Sequence, residues 1–229
     1  YRGYIVSRHM YFHREIDLLK KRILEMGTLA EDRLRRACTI LENGDDAQAQ
    51  TLMTGDWEID DMEIRVEEDC LKILALHQPV ARDLRLIVSI IKINGELERI
   101  ADIAVNIAKR VLTINKNRPA TCAFDMDYRV MAAKSMEMVK TALDALVTED
   151  AAMARKVFLM DDDVDRERNR AYTTVVQQVS KTPEGAACLI NFYLIARHLE
   201  RIGDRAKNIA EEVIYLVEGE IVRSSSDPH

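Results

Sequence analysis

The chain has little that would build a sheet, a barrel or a secreted fold. Of its 229 residues only 5% are aromatic, and four are proline. Val-Thr-aromatic alternations are few and neither Asn-Gly pair lies between them as a hairpin would require, which argues against strands. No segment approaches 18 uninterrupted apolar residues and no secretory signal precedes the first helical pattern, so neither membrane insertion nor export is expected. The four cysteines, Cys38, Cys70, Cys122 and Cys188, are scattered without a Cys-x-x-Cys pair. They read as small buried apolar residues in a reducing compartment. A net charge of −6 disfavours nucleic acid as a partner. Glu-x-x-His, closely spaced Cys and His, Gly-x-Ser-x-Gly and Gly-rich phosphate loops are all missing. With them go the signatures of ferritin-like di-iron sites, structural zinc, serine hydrolysis and nucleotide cradling.

What is present is helix, and it is present twice. Hydrophobic residues make up 48% and charged residues 31%, the balance of a soluble helical protein. Apolar residues at Ile16, Leu19, Ile23, Met26, Ala30, Leu34, Ala37 and Leu41 recur at alternating steps of three and four, the period of one buried helix face. Asn43-Gly44-Asp45 stops that helix and opens a second, which runs to about His77. Pro79 and Pro183 mark equivalent turns before long apolar runs, and Pro119 lies in a linker-like stretch near the middle. The expected third helix covers about 80–114, and the second half repeats the pattern over roughly 124–147, 150–180 and 184–219. Helices joined by short turns pack antiparallel. The sequence thus predicts an all-α fold of two tandem three-helix bundles, six long helices in all, with domains at 10–118 and 119–221. Residues 1–9 show no clear period, and His9-Met10 suits a cloning junction. They are set aside from the fold, as is the tail after Ser224.

The duplication is sharpest in two ladders. Glu98-Arg-Ile-Ala-Asp102-Ile-Ala-Val-Asn106 recurs as Glu200-Arg-Ile-Gly-Asp204-Arg-Ala-Lys-Asn208. A spacing of four stacks Glu, Asp and Asn along one side of a helix, where like charges repel. On a helical wheel Glu98 and Asp102 fall about 100° and 140° from Leu97, around the same line as Ile87, Ile91 and Val105. Partly desolvated carboxylates need a counter-charge. A second acidic pair precedes each ladder in the chain, Asp56/Asp60 in the first half and Asp161/Asp165 in the second. Antiparallel packing could bring each pair to its ladder, and four carboxylates with an amide oxygen suit hard cations. Helix capping is the alternative role for the four aspartates. Salt-bridged, solvated faces are the alternative for the ladders and for acidic pairs such as Glu63/Glu67. Arg82 and Arg85, early in the third helix, could serve a partner carboxylate or phosphate or form interhelical salt bridges. His77 and His198 read as satisfied boundary histidines. The methionines read as core filler.

Gln78-Pro-Val-Ala-Arg-Asp-Leu-Arg85 and His198-Leu-Glu-Arg-Ile-Gly-Asp-Arg-Ala-Lys-Asn-Ile-Ala-Glu211 carry a resemblance to the PhoU family over about residues 13 to 221. The resemblance implies two three-helix bundles related by pseudo-twofold symmetry. It implies multinuclear metal sites, of iron or zinc type, on the Glu/Asp-x-x-x-Asp motifs, where the oxygen-only donor set itself would also suit manganese or magnesium. Glu98, Asp102, Glu200 and Asp204 match those motifs, Asn106 and Asn208 lie one turn on, and Asp56, Asp60, Asp161 and Asp165 match family acidic positions. Ala101 departs from the Gly203 of the second copy, and Gly95-Glu96 departs from an acidic residue often found one position along. The resemblance further implies a cytoplasmic, homodimeric, non-enzymatic adaptor that restrains phosphate uptake. Its partners would be the ATPase subunit of a phosphate ABC transporter and a phosphate-sensing histidine kinase. A metal-dependent phosphoester hydrolase and a purely structural bundle are the competing readings.

Overall fold

Each helix end carries a local reason. In the computed structural model, which describes residues 2–55, 57–119, 122 and 127–222 with side chains from Met10 onward, α1 spans Arg2–Asn43. The helix therefore extends back through the stretch set aside as aperiodic. Gly44 ends it at φ +66, a backbone region that costs a residue with a Cβ about 1 kcal/mol or more. Asp45 then caps α2 (Asp46–Thr54), its Oδ1 accepting from the amides of Ala47 and Gln48 at 2.9 and 3.0 Å. The expected second helix is broken at Gly55, whose carbonyl accepts from the Arg33 guanidinium of α1. The chain resumes as α3 (Trp57–His77) and, past Pro79, as α4 (Ala81–Asn117).

The second half repeats the order with α5 (Arg129–Thr148), α6 (Ala151–Lys181) and α7 (Ala186–Glu218). Pro183 opens a 3₁₀ turn over Pro183–Gly185. Asp150 caps α6, accepting from the Met153 amide at 2.9 Å. Asp161 and Asp165 therefore sit well inside α6, and capping is not their role. Gly219 closes α7 at φ +78.

Long apolar faces on α4 and α7 form the centre, with most of each helix's Ile, Leu, Val and Ala residues buried. The two helices pack antiparallel. Ser89 donates to the Glu212 carbonyl at 3.3 Å, and at the other end Arg110 donates to Asn191 Oδ1 at 3.2 Å. When the ladders are superposed, Ser89 corresponds to Asn191 and Glu212 to Arg110, so these two hydrogen bonds join the same pair of positions under the pseudo-twofold. Helix α1 packs on α4 and α5 on α7, and α1 also meets α5. Helices α3 and α6 take the equivalent outer places against α4 and α7.

Two expectations about cysteine and arginine resolve here. Cys122 and Cys188 form a disulfide, with Cα atoms 6.2 Å apart. A pairing across 66 residues becomes visible only in the folded chain, where Cys122 lies against the start of α7. Cys38 and Cys70 are free and buried as expected, and burial pushes both thiols up to about 12. Arg82 ties α4 to Glu149 at the end of α5, an interhelical salt bridge. The guanidinium of Arg85 lies against Gly219.

Candidate functional site

In the first half the ladder on α4 faces more acid. Glu98 is half-buried and Asp102 exposed; α3 adds Asp60, exposed, and Glu63, half-buried. Buried Asn94 fixes the level of the two helices by donating to the Glu63 carbonyl at 2.9 Å. Burial, then the charges of Asp102 and Glu63, lift the Glu98 carboxyl to about 7, and a hydrogen bond with Asp102 favours its protonated form. Burial also raises Glu63, assisted by Glu67, Asp60 and Asp102 and opposed by Arg99. No salt bridge reaches Asp60, Glu63, Glu98 or Asp102 among the described residues. Asn106 is half-buried one turn beyond Asp102. Asp56 lies outside the described residues.

The second half answers the same demand with its own side chains. Lys207 stands between Asp161 of α6 and Asp204 of α7, 3.0 Å from Asp204 and hydrogen-bonded to Asp161. Burial alone would lower the Lys207 ammonium, but the hydrogen bonds and charges of Asp161 and Asp204 outweigh it and hold it above the ordinary lysine value. Glu200, buried, accepts from Arg197 at 2.6 and 2.7 Å and has Arg168 of α6 at 3.4 Å. Burial still raises its carboxyl, against the pull of Arg197 and Arg168. Asp161 is likewise raised, by burial first, while Lys207 opposes. Asp165 adds negative charge to both. Asn208 leaves the ladder and donates to Glu96 across the α4–α7 seam at 3.1 Å.

That seam is itself asymmetric. Glu96, buried, also takes Arg99 at 2.8 Å and Arg205 at 3.2 Å. The matching residue in the second half is His198, also buried, with both ring nitrogens lacking a hydrogen-bond partner among the described residues. Burial, then the charges of Arg201 and Arg110, push its imidazole down to about 4. The expectation of a satisfied boundary histidine holds for His77, 2.6 Å from Glu15, and not for His198.

The ladders thus differ in what they can accept. The first gathers carboxylates alone, with no salt bridge to any of them among the described residues. The second has its positive charge built in, so Glu200, Asp204, Asp161 and Asp165 do not fit a metal ion in this arrangement. Among the described residues no three carboxylate, imidazole or thiol groups converge as a ready-made metal site. Sequence reasoning gave no role to Lys207, Arg168 or Arg197, took Glu63 as part of a solvated acidic pair and Glu96 only as a departure from the family pattern. The signal for one of them was available, because the copies carry Val105 and Lys207 at equivalent positions. No helix among the described residues is long and apolar enough to cross a membrane.

A family model described as PhoU domain matches residues 23–111 and again 128–213. The "Phosphate-specific transport system accessory protein PhoU homolog" of Pseudomonas aeruginosa is 38% identical over 212 residues, 93% of this chain and 87% of that protein. PhoU homolog 1 of Thermotoga maritima is 32% identical, over 92% of this chain and 90% of its own. Among solved structures, PhoU from Pseudomonas aeruginosa superposes with a TM-score of 0.85 at 37% identity, covering 91% of this chain and all of that one. The phosphate transport system regulatory protein PhoU from Streptococcus pneumoniae superposes at 0.82 and 26% identity, over 93% of this chain and all of its own.

Proposed function

This chain belongs to the PhoU family, and from that premise we propose that it regulates phosphate uptake as a cytoplasmic adaptor. It links the ATPase subunit of a phosphate ABC transporter to a phosphate-sensing histidine kinase and restrains phosphate-responsive genes when phosphate is plentiful. It does so by binding, without bond-breaking chemistry of its own. The observation that carries the reading is the similarity of both halves, over 93% of the chain, to relatives named as accessory proteins of phosphate-specific transport. Deleting the protein is expected to release phosphate-responsive expression in phosphate-rich medium. Unchanged repression would overturn the adaptor role. Sedimentation of the purified chain tests the homodimer that belongs to the same reading.

Metal binding is proposed for the first half alone. Asp60, Glu63, Glu98 and Asp102 would supply oxygen ligands, favouring magnesium, manganese or ferric iron over zinc. A bound cation would replace the proton that Glu98 otherwise keeps near neutral pH. In the second half Lys207 already supplies the charge. Titration calorimetry with Mn²⁺ is expected to show binding that Glu98→Ala/Asp102→Ala abolishes and Glu200→Ala leaves intact. Wild-type protein that takes up no Mn²⁺ or Mg²⁺ would remove the metal from this account and leave the adaptor standing.

A further inference from the structure

The outer face of α3 carries three large apolar side chains that no other described residue covers. Trp57, Ile64 and Leu71 are 68%, 55% and 55% exposed. Their seven-residue spacing puts them on one line, a ridge about 21 Å long. Acid lines that ridge. Helix α3 holds seven acidic residues against two basic ones, Arg65 and Lys72. Both bases are engaged, Arg65 with Asp61 at 2.9 Å and Lys72 with Glu15 at 2.8 Å. Asp60, Glu67 and Glu68 have no basic partner among the described residues.

The repeat supplies an internal control. Helix α6 occupies the equivalent outer place, and aligning Ile59-Asp60 with Val164-Asp165 sets Trp57, Ile64 and Leu71 over Asp162, Asn169 and Val176. The same alignment sets Asp61, Glu67 and Glu68 over Arg166, Tyr172 and Thr173. Helix α6 carries five acidic and six basic residues. The fold therefore requires neither the apolar line nor the acid beside it. Scattered exposed apolar residues need no explanation, whereas an aligned set rimmed by one sign of charge marks a binding surface.

We propose that this face docks a basic amphipathic helix of a partner protein. Apolar side chains of that helix would pack between Trp57, Ile64 and Leu71, while its lysines and arginines lie over Asp61, Glu67 and Glu68. A heptad line favours a helix crossing at a shallow angle. A second copy of this chain is the wrong occupant, because a twofold contact would set acidic ridge against acidic ridge. Anionic membrane is repelled on the same ground. The inference concerns a surface and is independent of which transport or signalling component supplies the helix.

Trp57 is the single tryptophan of the chain, so its emission reports on this face directly. The probe is a synthetic amphipathic helix of leucine and lysine, compared with a leucine–glutamate version and with one whose leucines are replaced by serine. The leucine–lysine peptide is expected to shift Trp57 emission to shorter wavelength and to shield it from acrylamide, more weakly as salt rises. The other two peptides should leave the emission unchanged. Ile64→Asn and Leu71→Asn should each weaken binding about tenfold, and Leu159→Asn on α6 should not. Glu67→Lys/Glu68→Lys should transfer the response toward the glutamate peptide. Unchanged emission would overturn the proposal. So would equal binding by the Asn variants, which leaves only diffuse attraction, or a blue shift on raising the chain's own concentration, which makes a second copy the occupant. All these substitutions lie on exposed positions, and retained helicity in each variant is checked by circular dichroism.

Discussion

The two halves solve one electrostatic problem in opposite ways. Both stack a glutamate and an aspartate one turn apart on a central helix, and both bring an outer helix against them. In the second half that outer helix supplies Arg168 beside Glu200, and α7 supplies Lys207 between Asp161 and Asp204. In the first half the residues at those places are Glu63 and Val105. One copy is neutralised by its own side chains, and in the other Asp60, Glu63, Glu98 and Asp102 have no salt bridge among the described residues. A duplicated motif therefore preserves backbone geometry more faithfully than it preserves charge balance. Its two copies should be given separate functions until each has been tested.

The largest expected difference concerns cross-linking. Both cysteines of the first half, Cys38 and Cys70, are free, whereas Cys122 and Cys188 are joined. Closing a loop of 66 residues contributes about 4 kcal/mol through the unfolded state. Urea unfolding with and without dithiothreitol should show a loss of that order in the wild type and none in Cys122→Ser. Equal midpoints in the wild type would mean that the bond gives no stability.

Breaking the built-in cation comes next. Lys207→Met leaves Asp161 and Asp204 without their counter-charge and should cost about 2–3 kcal/mol at pH 7. The same variant is expected to acquire Mn²⁺ binding in the second half. The converse substitution, Val105→Lys, should abolish Mn²⁺ binding in the first. Retained stability together with no gain of metal in Lys207→Met would erase the distinction between the ladders.

The seam gives a pH signature. Glu96 accepts from Arg99, Arg205 and Asn208, but His198 is buried near Arg110 and Arg201. Burial pushes its imidazole down to about 4, from an ordinary value near 6.5. Between those values the folded state binds fewer protons than the unfolded state, so stability falls as pH drops and is level above about 6.5. The loss at pH 5 should be about 2 kcal/mol. Glu98 acts in the opposite direction, because its raised pKa adds stability as pH falls from about 7. Subtracting the profile of His198→Leu isolates the histidine. Identical pH profiles for the wild type and His198→Leu would show that it titrates normally.

Local periodicity made much of the fold legible. The long helices, the turns at Pro79 and Pro183, and the ladder positions all follow from spacing along one chain. Features that depend on contacts between distant segments were not legible. The break at Gly55 is held by Arg33 from α1, and the Cys122–Cys188 bond needs the completed fold. The burial of His198 arises only when α4 lies on α7. Lys207 falls between these cases. Its presence was visible as a mismatch with Val105, but its role required knowing that Asp161 stands opposite.

The smallest expected effect is also the one that separates the ladders by sign. At pH 8 Glu98 is ionised beside Asp102, Glu63 and Asp60, so Glu98→Gln removes like-charge repulsion and should stabilise the chain by about 0.5 kcal/mol. At pH 5 the carboxyl is already protonated and the gain should vanish. Glu200→Gln removes the charged partner of Arg197 and Arg168 and should cost about 1 kcal/mol at pH 8, and less at pH 5 because burial raises the Glu200 carboxyl as well. Urea titrations of both variants at both pH values read the comparison directly. A loss from Glu98→Gln at pH 8 would mean that a positive group already balances the first ladder. The case for an added cation there would then fail.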